Sequence, residues 1–320
     1  MKAVVVNRPG SSDVLELVEK SIPKVRNGWS LICVKGFGIN RSEIFTRQGH
    51  SPSVSFPRVL GIECVGVIVE TTDHSRLPVG QKVLSTMGEM GRAFDGSYAE
   101  YVLVPNEQIY PVETNLTWEE FAAVPETFFT AYGSMQQLRL EDGDRILVRG
   151  ASSGVGVAFT KLVKAIFPKC QVYGSVRNRQ KEAQLLAVGY DGVIVDKDGK
   201  LETDLTFHKV FELVGPSSIK DSIAHMEMYG IVCSTGLLGN QWYLEEFDPT
   251  YELRKNIYLT TFYSGNVSEE QWQSLFDVIE HYQIDVKPEK VFSLDDIRLA
   301  HDYLESSQAF GKVIVRNKER

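Results

Sequence analysis

The sequence predicts an α/β protein of two domains, one rich in β-strands and one in which strands and helices alternate. Its 320 residues are enough for two domains of ordinary size. Short runs of β-branched and aromatic residues, separated by glycine and proline, fill the first hundred residues. From residue 145 onward, strand-like runs alternate with helical patterns, which indicates βαβ units and a doubly wound parallel sheet.

The first hundred residues contain five strand-like segments. They are residues 3–6, 30–34, 65–70, 82–84 and 98–104. Turn-forming residues bound each of them, which favours a compact β-rich domain. A helical pattern then begins at Trp118, where Thr117 is a suitable N-cap and Glu119 and Glu120 lie in the first turn.

The middle of the chain alternates between the two kinds of pattern. Strands are predicted at 145–149, 171–175, 192–195, 208–213 and 230–234, and helices at 155–166, 179–187 and 217–227. The final sixty residues differ, because helical patterns at 268–282 and 294–306 precede a closing strand in "GKVIVRN". The patterns alone leave open whether this tail is an appendage or returns to the first domain.

Composition excludes several classes of protein. The net charge is −8 and there is no long basic run, so we expect no broad nucleic-acid surface. Apolar runs are far shorter than a membrane span, and the N-terminus resembles a strand more than a secretory signal. The four cysteines form no CxxC pair, which predicts a reduced, cytoplasmic protein without a zinc ribbon or disulfide framework.

A glycine-rich segment, "RILVRGASSGVG", joins a predicted strand directly to a predicted helix. Gly150 allows a tight turn, Gly154 lets the backbone approach a ligand, and Gly156 lets the helix pack close to the strand. The amides and dipole of a helix N-terminus attract anions. The segment therefore predicts a site for the pyrophosphate of a dinucleotide.

The end of the next strand indicates which dinucleotide. NAD-binding folds place an acidic residue there to hold the ribose 2′-hydroxyl. Here "QVYGSV" ends at Ser175, and Arg177, Arg179 and Lys181 follow before the acidic Glu182. Cations in this position suit a 2′-phosphate, so the sequence favours NADPH over NADH.

Further motifs occur in a fixed order before the glycine loop. They are "GFGINRSEIFTRQG" (36–49), "FPRVLGIECVGVIVE" (56–70), "VGQKV" (79–83), "GSYAEYVLVP" (96–105) and "AAVPETFFTAYGSM" (122–135). The series resembles the medium-chain dehydrogenase/reductase superfamily from end to end. The resemblance implies a GroES-like catalytic domain of residues 1–122 and 262–320, with an inserted Rossmann NADPH-binding domain of residues 123–261.

The zinc ligands of that superfamily's alcohol dehydrogenases are absent. Asn40 stands where the first cysteine is expected, and Gly61-Ile62-Glu63 replaces the Gly-His-Glu motif. The chain therefore resembles the zinc-free quinone oxidoreductase branch, which includes zeta-crystallin-like proteins. This resemblance implies hydride transfer from NADPH to a small-molecule quinone or conjugated enone or alkenal. It also implies a homodimer formed near residues 234–247.

The same resemblance implies a set of cofactor contacts, to which the charge argument adds Arg177. The contacts are Asn40, Thr130, Ser153, Gly154, Val155, Ser175, Arg177, Lys181, Gly236, Leu237, Phe262 and Lys312. Asn40 is also the candidate catalytic residue, through a hydrogen bond to the acceptor carbonyl or the nicotinamide ribose. Phe45 stands where the family often has tyrosine, so that position donates no proton, and the sequence offers no convincing donor.

Two alternatives stay open at this stage. The loop "GASSGVG" also resembles that of short-chain reductases, and Tyr251 and Lys255 have the spacing of that family's catalytic pair. That family begins with its nucleotide loop, whereas 149 residues precede this one, so the reading is disfavoured. The second alternative is a protein that binds NADPH in a structural or regulatory role without useful turnover.

Overall fold

The computed structural model describes residues 1–318, which divide into two compact units. The first unit comprises Met1–Thr127, Gly265–Asp277 and the chain from Val286 onward. The second comprises Phe128–Ser264 and Val278–Asp285. Residues 278–285, which the sequence reading assigned to the first domain, join the second unit, where Lys161 Nζ donates to the Asp285 carboxylate at 2.9 Å.

The first unit begins with eight strands and three helices, the last helix continuing into the second unit. They are β1 (Lys2–Val6), β2 (Leu15–Glu19), β3 (Trp29–Ile39), α1 (Arg41–Arg47), β4 (Arg58–Val59), β5 (Glu63–Glu70), β6 (Lys82–Thr86), β7 (Tyr101–Pro105), β8 (Tyr110–Pro111), α2 (Trp118–Ala122) and α3 (Pro125–Leu138). Strand β1 pairs antiparallel with β2 and β4. Strand β3 pairs antiparallel with β5 and β7, and the larger sheet continues through β6 to β8.

The helical pattern that begins at Trp118 forms two helices rather than one. Thr117 caps α2 as predicted, because its side chain accepts from the Glu120 amide while the Glu120 carboxylate accepts from the Thr117 amide. Helix α2 ends before Pro125, which lacks the N–H that a continuing helix needs and disfavours helical backbone in the preceding residue. Pro125 instead occupies the first position of α3.

The second unit contains a seven-stranded sheet, counted over the described residues. Its elements are β9 (Arg145–Arg149), α4 (Gly154–Ile166), β10 (Gln171–Val176), α5 (Glu182–Val188), β11 (Gly192–Lys197), β12 (Lys200–Leu201), β13 (Phe207–Glu212), α6 (Pro216–Ala224), β14 (Met226–Ser234), α7 (Pro249–Glu252) and β15 (Tyr258–Thr260). The strand order is β12-β11-β10-β9-β13-β14-β15. All neighbours are parallel except β12, which runs antiparallel to β11.

This order confirms the predicted fold class. Counted from β9, the six parallel strands follow the 3-2-1-4-5-6 order of a Rossmann sheet. The predicted helix at 217–227 is wrong at its end, since α6 stops at Ala224 and β14 already begins at Met226. The backbone amide of Phe207 donates to the His225 carbonyl at 2.8 Å. The last residues of the predicted helix therefore pair with β13 instead of continuing the helix.

The last elements are α8 (Glu269–His281), β16 (Lys290–Ser293), α9 (Ile297–Glu305) and β17 (Val313–Arg316). Strand β17 pairs antiparallel with β3, with Val313 opposite Ile39, and parallel with β16. The tail therefore completes the sheet of the first unit, where Ile297 and Val315 share a hydrophobic core with Ile32. Across residues 1–318, no helix has the length and apolar character needed to cross a membrane.

Candidate functional site

The glycine loop lies at the carboxyl end of β9, between β10 on one side and β13 on the other. This is the switch point of the sheet, where open α/β folds bind their ligands. Ser153 caps α4, since its Oγ accepts from the Gly156 amide at 3.1 Å. The amides of Gly154 and Val155 then occupy the first turn, where a helix has no partners for its N–H groups. Ser153 thus shapes the site through the helix start.

Glycine is required at both ends of this loop. Gly150 has φ +82°, and a Cβ on it would lie 2.9 Å from Leu238 Cδ1. A Cβ on Gly156 would lie 2.9 Å from the Gly150 carbonyl oxygen, which confirms that this glycine permits close packing of the helix. A side chain at either glycine would therefore clash, at Gly150 with Leu238 and at Gly156 with the carbonyl of Gly150.

A second loop, residues 236–239, lies at the same edge of the sheet. Its Gly236, Leu238 and Gly239 amides donate to carbonyls of residues 212–214 at 3.2, 3.0 and 2.8 Å. A Cβ on Gly236 would lie only 2.3 Å from the Leu213 carbonyl oxygen. The structure thus brings Gly236 and Leu237 to the carboxyl edge that carries the glycine loop.

The cations after β10 divide into two kinds. Arg179 forms a salt bridge with Glu182 within the first turn of the following helical segment. Arg177 is exposed, and the pKa of Lys181 is lowered, first by burial and then by the nearby Arg177 charge. Ser175 is buried at the end of β10, and its carbonyl accepts from the Ala151 amide at 3.2 Å. Two cations held near each other beside the glycine loop suit a phosphate.

Thr130 and Phe262 belong to one packed cluster in the second unit. Thr130 lies on α3 and is nearly buried. The Phe262 ring packs against Phe129, with centroids 5.7 Å apart, and a Cβ on Gly133 would lie 2.1 Å from Phe262 Cε2. Phe262 therefore supports the helix that carries Thr130.

Asn40 and Lys312, the two predicted contacts that lie in the first unit, form a buried polar network. Lys312 Nζ lies 2.6 Å from Glu63 Oε1 and donates to Asn40 Oδ1 at 2.7 Å. Asn40 Nδ2 donates to Glu63 Oε1 at 2.9 Å and to Glu43 Oε1 at 3.4 Å. Lys312 is 6% exposed and Glu63 is fully buried. The Lys312 ammonium is thus committed to protein groups.

This network constrains what Asn40 can do. The Lys312 ammonium only donates and the Glu63 carboxylate only accepts, which fixes the orientation of the Asn40 carboxamide. Both amide hydrogens point at carboxyl oxygens, one of Glu63 and one of Glu43, so neither is left for an acceptor carbonyl. Asn40 was expected to hydrogen-bond either the acceptor carbonyl or the nicotinamide ribose. Only the second interaction, in which Oδ1 would accept from a ribose hydroxyl, is compatible with this arrangement.

Sequence reasoning missed Glu43 and Glu63, which complete the network. Glu43 is 1% exposed, and it accepts from Ser42 Oγ at 3.0 Å and from the Ile62 amide at 3.3 Å. Burial, and then the nearby Glu63 charge, raises the pKa of Glu43 to about 7. The detectable signal was an acidic residue inside an apolar strand, in "LGIECVGVIVE", together with the Asn-x-x-Glu spacing of "NRSE".

The network does not fit a zinc ion. Asn40 and Ile62 stand where ligands are expected, and the Lys312 ammonium already lies against the Glu63 carboxylate. Within residues 1–318, no group of three or more histidine, cysteine, aspartate or glutamate side chains is arranged to hold a metal. A catalytic zinc needs three protein ligands and an open position.

The Tyr251 and Lys255 pair lies away from the nucleotide edge. Lys255 Nζ donates at 2.7 Å to the carbonyl of Met226, the first residue of β14. The carboxyl edge is at the other end of that strand, at Ser234. Tyr251 is 61% exposed and carries the Arg254 guanidinium over its ring. The structure therefore gives no support to the short-chain reading.

Two family models match the chain. The alcohol dehydrogenase GroES-like domain matches residues 26–114, and the zinc-binding dehydrogenase model matches residues 188–315. Human quinone oxidoreductase is 31% identical over 52% of this chain and 50% of its own length. The 2-methylene-furan-3-one reductase of Solanum lycopersicum is 26% identical over 98% of this chain and 79% of its own length. Several other curated relatives are matched over only 43% to 47% of their length.

Solved structures show the same fold. A mycobacterial protein solved in complex with NADPH superposes with a TM-score of 0.84 at 24% identity, over 99% of each chain. The ordered motifs, the two matching family models and the Rossmann strand order agree with one another. The chain therefore belongs to the medium-chain dehydrogenase/reductase superfamily, in its quinone oxidoreductase-like branch.

Proposed function

We propose that this protein is a zinc-independent, NADPH-dependent oxidoreductase that transfers hydride to a quinone or a conjugated enone or alkenal. The observation that carries the proposal is the carboxyl edge of the second unit's sheet. There a glycine-rich loop begins a helix, and Arg177 and Lys181 follow the neighbouring strand. This arrangement suits a dinucleotide with an additional phosphate on its ribose.

Residues at this edge would hold the phosphates and the nicotinamide half of such a cofactor. The amides of Gly154 and Val155 would hold the pyrophosphate, and Arg177 and Lys181 the 2′-phosphate. The loop of Gly236 and Leu237 would lie beside the nicotinamide half. The bound cofactor supplies the hydride, and the protein supplies binding, orientation and exclusion of water.

The acceptor class is inferred from chemistry and from relatives. Quinones and conjugated enones take a hydride without a metal, because the resulting negative charge is delocalised. Two relatives are named for reducing such compounds, a quinone oxidoreductase and a 2-methylene-furan-3-one reductase. The absence of a zinc-binding set around Asn40 supports the same class, since simple alcohol dehydrogenation in this superfamily relies on zinc. Holding the reactants in contact would supply most of the acceleration.

We also propose that two copies associate through the edge strand β15. Tyr258 on this strand is 58% exposed, and Met228 and Tyr229 on the adjacent β14 are 62% and 60% exposed. Trp242 and Tyr243, in the segment expected at the dimer contact, are 46% and 76% exposed. Exposed apolar side chains on and next to a strand that has no outer neighbour within residues 1–318 favour association.

The test is oxidation of NADPH by the purified protein in the presence of a metal chelator. The acceptors are a panel of quinones, 2-alkenals and simple ketones, with NADH run in parallel. We expect chelator-insensitive turnover of quinones or alkenals with NADPH. Turnover that the chelator abolishes, or that uses ketones alone, would contradict the proposal.

The same assay separates the second candidate, an NADPH-binding protein without turnover. Some relatives bear the name synaptic vesicle membrane protein VAT-1 homolog-like, which states no reaction. Tight NADPH binding in a calorimeter, combined with no turnover of any acceptor, is the result that this candidate predicts.

A further inference from the structure

We propose that Tyr190 is a positioning residue for nucleotide binding, because its hydroxyl holds the glycine loop in the conformation that offers amides to the cofactor phosphates. This role rests on the proposed function, since it concerns the loop that would hold the pyrophosphate. The residues involved lie within the second unit, where Tyr190 occupies the short turn between α5 and β11. None of the sequence motifs included this tyrosine.

The hydroxyl of Tyr190 is buried against the glycine loop, within reach of two carbonyl groups. Tyr190 Oη donates to the Ala151 carbonyl at 3.1 Å and to the Gly156 carbonyl at 3.0 Å. A carbonyl oxygen only accepts, so the single phenolic proton is shared between the two oxygens. Tyr190 is 3% exposed, and burial raises the pKa of its hydroxyl, which therefore keeps the proton that it donates. One side chain thus joins the turn of the loop to the first turn of α4.

The backbone of Ala151 shows what this contact does to the loop. Its amide donates to the Ser175 carbonyl at 3.2 Å and its carbonyl accepts from Tyr190, so both polar groups are used inside the second unit. Across a planar trans peptide, the N–H points in the opposite direction to the C=O. Holding the Ala151 carbonyl toward Tyr190 therefore turns the Ser152 amide away from Tyr190. Ala151 is fully buried whereas Ser152 is partly exposed, so this amide faces the outer side of the loop.

The two carbonyls depend on Tyr190 to different degrees. The Gly156 carbonyl has a second donor, Thr160 Oγ1 at 3.0 Å, so the start of α4 stays anchored without the Tyr190 hydroxyl. The turn at Ala151 would then have to be ordered when a ligand binds, which lowers the affinity. The Tyr190 hydroxyl therefore preorganises the Ser152 amide beside the amides of the first helical turn.

The position of Tyr190 is itself fixed by the elements around it. Gly189 follows α5 with φ +117°, and the Tyr190 amide donates to the Leu185 carbonyl at 3.2 Å. The ring then packs against β10 at Gly174, where a Cβ would lie 2.9 Å from Tyr190 Cδ1 and 2.7 Å from Ala151 Cβ. A side chain at residue 174 would displace the ring or the loop, so the glycine in this strand makes room for both.

Tyr190→Phe is the decisive variant, since it removes the hydroxyl and keeps the ring that packs against β10. We expect the calorimetric Kd values for NADPH and NADH to rise by the same factor, about tenfold, because both nucleotides carry the pyrophosphate. Binding of adenosine 2′-monophosphate, which has the 2′-phosphate but no pyrophosphate, should be unchanged. Tyr303→Phe is the matched control, because its hydroxyl donates to the Gln308 carbonyl at 3.4 Å in the first unit. The control should keep the wild-type affinity for all three ligands.

Hydrogen exchange in the nucleotide-free protein measures the loop directly. The Ala151 amide should exchange faster in Tyr190→Phe than in the wild type or in Tyr303→Phe, because the turn opens more readily. Unchanged affinity for both dinucleotides in Tyr190→Phe overturns the proposal. An equal loss for adenosine 2′-monophosphate also overturns it, because that result indicates general damage to the second unit.

The failure of the proposed function has a separate signature. If the wild type binds neither NADPH nor NADH, the proposed function fails and the binding role of Tyr190 fails with it. Exchange at the Ala151 amide still reports whether the Tyr190 hydroxyl fixes the loop.

Discussion

Lys312 and Glu63 illustrate how single residues act in the first unit. Their charged atoms are 2.6 Å apart, and the two side chains are 6% and 0% exposed. A buried ion pair gains little net stability, because desolvation offsets attraction, but the loss of one partner leaves an unpaired charge. The second Glu63 oxygen accepts from the Glu126 amide at 2.7 Å, so the pair also anchors the start of α3. Its main effect is to hold Asn40 in one orientation.

We predict that Lys312→Met destabilises the protein by about 3–5 kcal/mol, because Glu63 is left buried without a counterion. The double variant Lys312→Met with Glu63→Gln should recover most of this loss. Chemical denaturation of the three proteins measures both effects. Lys2→Met, which removes the exposed pair with Asp295, serves as the control and should change little. Equal stability of the single and double variants would contradict the prediction.

Arg177 carries the second residue-scale prediction. Arg177→Glu should weaken NADPH binding about 10–100-fold, because it replaces a cation at the expected 2′-phosphate by an anion. NADH binding should change little. Arg179→Glu is the matched control, since Arg179 already pairs with Glu182. Calorimetric titration with both nucleotides gives the answer, and an equal loss for NADPH and NADH would remove the 2′-phosphate assignment.

At the scale of elements, two loops and one helix start form the carboxyl edge of the second unit. The glycine loop turns at Gly150, and the loop of residues 236–239 is hydrogen-bonded to residues 212–214. Below them, the Glu212 carboxylate accepts from the Val214 and Gly215 amides at 2.8 and 3.1 Å. The strand ends are thereby tied to the loops that follow them. Loop position is set by backbone pairing, so small steric changes are expected to matter.

Gly236→Ala tests this dependence. The new Cβ would lie 2.3 Å from the Leu213 carbonyl oxygen, so the loop must shift away from β13. We expect about a tenfold or greater loss of nucleotide affinity, because small displacements of a positioning loop are costly. Gly192→Ala is the control, since its Cβ would meet only the Tyr173 side chain at 3.0 Å. Unchanged affinity in Gly236→Ala would show that the loop is not a binding element.

Helix α2 gives an element-scale prediction about stability. Thr117→Ala removes the side-chain half of the capping box and should cost about 1 kcal/mol. Thr117→Ser keeps the hydroxyl and should preserve stability. Denaturant midpoints of the two variants and the wild type are compared, and identical midpoints for alanine and serine would show that the cap contributes nothing measurable.

At the scale of the whole molecule, two buried side chains of the first unit, Glu43 and His301, change the folding stability with pH in opposite directions. Burial, and then the Arg47 charge, lowers the pKa of His301 to about 3. Arg47 donates to its Nδ1 at 3.2 Å, so its Nε2 carries the proton and donates to Tyr98 Oη at 3.0 Å. Because the pKa of His301 is lower in the folded protein than in the unfolded chain, stability is lost as the pH falls below about 6.5, the pKa of an unperturbed histidine. The raised pKa of Glu43 has the opposite sign, because stability is lost as pH rises from 4.5 through about 7.

Between pH 5 and 7 each group contributes roughly 2 kcal/mol, in opposite directions. We predict that Glu43→Gln removes one side of this balance. The free energy of unfolding of the variant, minus that of the wild type, should then rise by about 2 kcal/mol from pH 5 to pH 7. Denaturation curves at several pH values measure the difference, with Asp13→Asn as the control. A difference that is independent of pH would show that Glu43 is ionised in the folded protein throughout this range.

Local patterns in the sequence were enough to predict the fold class and the sheet edge at which a nucleotide is expected. Strand and helix periodicity, the glycines at 150 and 156, and the cations after β10 are all encoded within short windows. The Thr117 cap was predicted for the same reason, because a capping box spans only four residues. Predictions weakened where tertiary pairing overrides the local pattern, as at the end of α6 and in residues 278–285.

The sequence by itself determined the two-part α/β architecture, the position of the glycine loop between β9 and α4, and the replacement of the superfamily's zinc ligands, since each depends on neighbouring residues. Only the tertiary structure decided what surrounds Asn40. Glu43, Glu63 and Lys312 are separated by up to 269 positions along the chain, and Lys312 reaches the network because β17 pairs with β3. Burial then changes the chemistry of these side chains. The cost of removing charge from water depends on the folded environment, which no local pattern specifies.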